Sequence, residues 1–117
     1  MIDSVISNIG GFFRAVWEFV KKIFVKIVNF AKNIALWFRD PSRLKKLQED
    51  KDRLAVSIKE NLGNGNYNVI NCLYDKEKEE IVGNHSAENE DALGMESEGL
   101  DTEAKKHFGN KDMIVLQ

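Results

Sequence analysis

Three side chains could ligate a soft metal or attack a substrate: one cysteine, Cys72, and two histidines, His85 and His107. Their order, Cys-x12-His-x21-His, matches no zinc-site spacing. Cys72 stands among apolar neighbours in Val69-Ile70-Asn71-Cys72-Leu73, the setting of a buried inert thiol. His107 reads as a charge at a helix C-terminus, and His85 as a loop residue. The carboxylates Glu88, Glu90, Asp91, Glu96 and Glu98 would attract cations, but they lack the fixed ligand positions of a calcium loop. Asn84-His85-Ser86 has the form of a glycosylation acceptor, which has meaning only on a secreted chain. No Gly-rich phosphate loop follows a strand. The residues therefore point to a non-enzymatic protein with no metal, no cofactor and no catalytic set.

What remains is a division of charge and of greasy surface. Residues 1–40 carry six basic and three acidic side chains, residues 41–62 six and four, and residues 63–117 five and twelve, so a basic half precedes an acidic one within a net charge of −2. Six of the seven Phe and both Trp lie between residues 12 and 38. One Pro, eight Gly and one Cys among 117 residues exclude collagen-like, Pro-rich and disulfide-stapled classes. That length suits one small domain with an appended element.

The apolar residues of the first segment recur at steps of three and four: Ile9, Phe12, Phe13, Val16, Trp17, Val20, Ile23, Phe24, Ile27, Phe30, Ile34, Trp37 and Phe38. That period predicts one amphipathic helix from about residue 3 to 38, roughly 50 Å long. Gly10–Gly11 is its weak point, since each Gly costs roughly 1 kcal/mol relative to Ala. Arg14, Lys21, Lys22, Lys26 and Lys32 supply the polar face. Burying the apolar face is worth on the order of 25–50 kcal/mol, so something must cover it.

Three covers are open. The longest charge-free run, Ser4 to Phe13, is too short for a conventional membrane span, and no secretory signal is evident. A membrane interface fits better, with aromatic residues in the apolar layer and the basic residues Arg14, Lys21, Lys22, Lys26 and Lys32 on anionic headgroups. Other copies of the chain, or a partner protein, would also serve. Packing on the C-terminal half is the plain alternative, and that half holds few apolar residues for the task.

Asp40-Pro41-Ser42 is a helix-start signature, with Asp40 as N-cap and Pro41 in the first turn. Leu44, Leu47, Leu54, Ile58 and Leu62 then follow at helical spacing, predicting a connector helix over 40–62 with these leucines and Ile58 as its seam. Gly63 to Asn66 reads as a turn. Tyr67 to Tyr74 reads as a strand, with Ile70, Cys72 and Tyr74 on one face and Val69 and Leu73 on the other. Glu79 to Val82 would return as a hairpin, 83–100 would be an acidic loop, Asp101 would cap a short helix ending before Gly109, and Met113 to Leu116 would close a three-stranded sheet.

The expected architecture is α+β: a long helix over 1–39, a connector over 40–62, and a small acidic α+β domain over 63–117. The expected function is binding to a membrane interface, self-association, or both, as an anchor or a membrane-perturbing effector. The alternative is a structural or assembly subunit whose N-terminal helices bundle in a homo-oligomer or against a partner protein. Nucleic acid is disfavoured, because the aromatics oppose the basic face and the acidic half repels phosphate. The absence of cystine fits a cytoplasmic or peripheral-membrane setting.

Overall fold

The computed structural model describes residues 5–116; the expected helix start near residue 3 lies outside them. The elements in order are α1 (Ile9–Phe19), β1 (Lys22–Phe24), a π-helical stretch (Phe30–Ala35) running into α2 (Leu36–Phe38), α3 (Pro41–Glu49), β2 (Arg53–Asn61), β3 (Tyr67–Asp75), β4 (Glu80–Ile81), β5 (Ala92–Ser97), α4 (Thr102–Phe108) and β6 (Met113–Leu116). The strands form one mixed six-stranded sheet of order β1-β5-β3-β2-β6, with β4 paired to β3 beyond the end of β5.

The sequence-based helix over 3–38 is corrected to a helix, a strand and a second, irregular helix. Asn8 starts α1 by accepting the Gly11 N–H at 3.0 Å. The helix stops at Val20, whose backbone is extended (φ −68°, ψ 147°). No Gly or Pro stands there. Five of the nine residues from Val20 to Val28 are β-branched, which disfavours helix and suits a strand. Their backbone then finds a partner strand. Gly94 donates to the Lys21 carbonyl at 2.7 Å, Val25 to Glu96 at 2.9 Å, and Glu98 to Lys26 at 2.8 Å. A bridge between Val28 and Leu100 prolongs this parallel ribbon.

The connector helix over 40–62 is likewise corrected. Asp40 Oδ2 caps α3 through the Ser42 and Arg43 N–H groups at 3.1 and 3.4 Å, as the Asp-Pro-Ser signature requires, but the helix ends at Glu49. Leu54, Ile58 and Leu62 are four apart, a spacing that satisfies a helical period and strand alternation together. With Val56 between them, β2 takes the second option and pairs with β3 in the register Leu54–Tyr74, Val56–Cys72, Ile58–Ile70.

The expected three-stranded sheet is therefore too small, because β1, β2 and β5 were hidden in segments read as helix or acidic loop. β3 keeps the alternation read from the sequence. Ile70, Cys72 and Tyr74 face α1 together with Val56, Ile58, Phe13, Val16 and Val20. Val69 and Leu73 face the other layer with Ile34, Phe38, Ala104 and Phe108. The sheet is thus covered on both faces, which is why β2 and β3 contain runs of consecutive buried residues. Two apolar faces also explain how the rest of the chain covers so much of the N-terminal aromatic segment.

Two details fix the layers. A Cβ on Gly94 would stand 2.8 Å from Trp17 Cζ3 and 3.0 Å from Val20 Cγ1, so glycine lets α1 close onto β5. On the opposite face the buried Asn71 donates from Nδ2 to the Asn33 carbonyl at 2.8 Å, while its Oδ1 accepts from Ser57 Oγ at 2.9 Å. The π-helical stretch thereby gives one carbonyl to the sheet. Its start is held by two side-chain caps: Asn29 Oδ1 accepts the Lys32 N–H at 2.8 Å, and Asn33 Oδ1 accepts the Asn29 N–H at 2.7 Å. The last helix agrees with the sequence: Asp101 Oδ1 accepts from Ala104 N at 2.8 Å, and Gly109 ends α4 at φ +59°.

Candidate functional site

The residues capable of chemistry do not converge. Cys72 is fully buried in the centre of the sheet, and burial pushes its thiol up to about 12. His85 stacks on Phe19 with ring centroids 5.3 Å apart, and His107 stacks on Phe30 at 3.9 Å. Among the described residues no group of three His, Cys, Asp or Glu is placed to hold a metal ion. The acidic loop residues are divided: Asp91 is buried and paired with Lys46 at 2.5 Å, whereas Glu88, Glu90, Glu96 and Glu98 are exposed.

The thirteen residues of the expected membrane or assembly face also part company. Phe13, Val16, Val20, Ile34 and Phe38 are buried inside the two cores. Ile9 is partly buried against the first core. Phe12 packs edge-on against Tyr74 at 5.4 Å, and Trp17 stacks on Phe13 at 5.5 Å. Phe30 lies on His107, and Trp37 lies under the Arg43 guanidinium at 3.7 Å. Three residues are left outside. Phe24 is 62% exposed, Ile27 44% and Ile23 36%. Of the expected seam on the second helix, Ile58 is buried in β2 and Leu54 half-buried there, Leu44 and Leu47 remain on α3, and Leu62 is exposed at the β2–β3 turn.

Ile23 and Phe24 lie on β1 itself and Ile27 follows it, so the exposed apolar group coincides with a terminal strand of the sheet. All three β1 residues are exposed. In a parallel ladder alternate residues bond the neighbour, and the bonds at Lys21 and Val25 turn those residues toward β5. The N–H and C=O groups of Lys22 and Phe24 consequently point to the open side. Lys21, Lys22 and Lys26 frame this edge. Lys22 Nζ donates to the Val20 carbonyl at 3.1 Å and lies 5.2 Å from the Trp17 ring centroid. Among the described residues, none of Arg14, Lys21, Lys22, Lys26 and Lys32 forms an ion pair. Glu96 is the Cα partner of Phe24 one strand inward.

The periodic pattern picked out Ile23, Phe24 and Ile27 but assigned them to a continuous helix face. It missed the polar core of Ser57, Asn71 and Asn33 and the cluster in which Arg43 meets Trp37 and Asp91. The cluster of β-branched residues from Val20 to Val28 was the available sign of the strand. No helix among the described residues is long and apolar enough to cross a membrane. No family model, curated protein or solved structure matches the chain.

Proposed function

We propose that this chain is a non-enzymatic binding module that pairs the open edge of β1 with an extended, acid-bearing segment of another protein. The observation that carries this reading is the coincidence, in Lys21-Lys22-Ile23-Phe24-Val25-Lys26, of the outward backbone groups of Lys22 and Phe24, the exposed side chains of Ile23 and Phe24, and lysines that form no ion pair among the described residues. An added strand takes its affinity from main-chain hydrogen bonds and its selectivity from side chains at alternate positions. Phe24 and Ile23 offer an apolar contact on each face of such a strand, and the lysines select carboxylates.

Lysines on an edge strand also oppose pairing with an identical edge. In an antiparallel pair of two copies centred on Phe24, Lys22 would stand opposite Lys26, and in-register parallel pairing would place each lysine beside its twin. The charge pattern thus favours an acidic partner over a second copy. A membrane surface would meet the same lysines, but among the described residues only Ile23, Phe24 and Ile27 of the thirteen expected to enter it stand exposed beside them, the other ten being buried or partly buried in the protein.

The test is a titration of the ¹⁵N-labelled protein with an extended peptide alternating valine and glutamate, beside its valine–lysine counterpart and phosphatidylglycerol vesicles. The expected result is saturable change at the Lys22 and Phe24 amides with the acidic peptide alone. Equal response to the basic peptide, or binding to vesicles without binding to the acidic peptide, would overturn the reading.

A further inference from the structure

A second concavity lies far along the sheet from β1, between α2, α3 and the β2–β6 edge. It is a cleft of about 480 Å³, within the roughly 300–1,000 Å³ of small-molecule sites. Its walls are apolar, with Leu44 and Leu47 from α3, Leu116 from β6 and Ala55 from β2. Three polar side chains join them: Arg39, Gln48 and Arg53.

The two arginines differ from Arg43, the other guanidinium nearby. Arg43 Nε has no hydrogen bond, but Asp91 Oδ1 stands 3.7 Å away and its Nη atoms donate to the Trp37 and Glu90 carbonyls. Its charge is accounted for. Arg53 donates from Nη1 to the Lys46 carbonyl at 2.9 Å, and the same Nη1 lies 3.7 Å from Glu49 Oε1. Its Nε is buried with no hydrogen-bond partner. Nε is closed off from solvent, so the adjacent Nη2, which makes no hydrogen bond among the described residues, is the donor left for a carboxylate. Arg39, exposed between α2 and α3, forms no ion pair among the described residues. An apolar cleft with Arg39, a guanidinium without an ion pair among the described residues, and Arg53, whose one ion pair is to the exposed Glu49, fits one ligand chemistry.

We infer that this cleft binds a small amphiphile with an unbranched or aromatic apolar body and a carboxylate head, the body lying along Leu44, Leu47 and Leu116 and the head held between Arg39 and Arg53. The apolar lining supplies non-directional burial, and the guanidiniums fix which end enters last. This site is independent of the β1 edge, so either can fail without the other.

The experiment uses the full chain, ¹⁵N-labelled, titrated with decanoate below its aggregation concentration and, separately, with decanol. Decanoate is expected to move the Ala35, Leu44, Leu47 and Ala55 amides saturably. Decanol is expected to bind roughly tenfold or more weakly, the loss of one charge-assisted hydrogen bond. Arg39→Gln, an exposed position whose folding is checked by its melting temperature, is expected to weaken decanoate by a similar factor and leave decanol unchanged. Leu44→Glu, which sets a like charge in the wall, is expected to abolish decanoate binding. Equal affinity for decanol and decanoate, shifts located outside the cleft, or response to anionic vesicles without response to decanoate would each overturn the inference.

Discussion

Residues 9–19 and residues 20–28 have the same kind of composition, aromatic and aliphatic with scattered basic groups, and they fit one unbroken helical period. Their fates are opposite. The first became α1 and placed Phe13 and Val16 against the sheet, while the second became an edge strand that leaves Ile23, Phe24 and Ile27 in the open. The difference lies in branching and in available partners. Residues 9–19 contain Gly, Phe, Ala and Trp with two β-branched residues, Ile9 and Val16. Residues 20–28 contain five, and β5 offers them a hydrogen-bonding ladder. Hydrophobic period alone therefore did not fix the backbone; it marked which side chains are greasy, and the sheet chose which of them to cover.

The sharpest way to test that contrast is to delete the same ring on both sides of it. Phe13→Ala is expected to destabilise the protein by about 3–5 kcal/mol, through lost burial and the cavity left under α1. Phe24→Ala should change stability by less than about 0.5 kcal/mol, as exposed positions do. Urea denaturation of the two variants reads both values. Similar losses would mean that Phe24 is covered or that α1 is not docked.

Gly94 examines the same docking from the sheet side. A Cβ there would meet Trp17 and Val20 well inside contact distance. Gly94→Val is therefore expected to cost about 1–3 kcal/mol, the usual range for overpacking. Thermal melts should show the loss shrinking when Trp17→Leu is added, because the clashing ring is then smaller. Additive losses would place the strain elsewhere.

Cys72 gives a pH-dependent version of the buried side. Its thiol rises from an ordinary value of 9.0 to about 12 because the thiolate would be desolvated. Above roughly pH 9 the unfolded chain releases this proton while the folded one retains it, so stability declines toward pH 12. Below that window the contribution is constant. The slope from this one group is at most about 1.4 kcal/mol per pH unit. Comparison of denaturation curves for the parent and Cys72→Ala between pH 8 and 11 isolates it, and parallel pH profiles would contradict the buried placement. The neighbouring Tyr74 hydroxyl, also raised by burial and by the charges of Glu79, Asp75 and Cys72, acts in the same direction in both proteins, less so in Cys72→Ala, which adds to the difference that Cys72 makes.

The smallest effect on folding is expected at the open edge. Lys26→Glu should leave stability within about 0.5 kcal/mol, yet replace a like-charge meeting with an attractive one in a pair of copies centred on Phe24. Sedimentation velocity should then show more self-association than in the parent. Unchanged sedimentation would mean that the lysines do not guard this edge.

Signals that act within a few residues are legible in the amino-acid sequence. Asp40 and Asp101 cap the helices they were expected to cap, Gly109 ends α4, and β3 alternates with Cys72 and Leu73 on opposite faces. Those outcomes follow from backbone geometry and short-range hydrogen bonding, which the sequence carries directly. Leu54, Ile58 and Leu62 were ambiguous because a spacing of four belongs to both periods. Residues 92–97 were concealed by acidic neighbours and a glycine whose role is to admit Trp17 from another part of the chain. Whether Ile34 or Phe24 was to be covered depended on which face of a non-local sheet each met. By itself the sequence determined which residues require shelter from water. Only the tertiary structure decided which received it, because strand pairing between residues 22–24 and 94–96 joins segments about seventy positions apart and leaves no local trace.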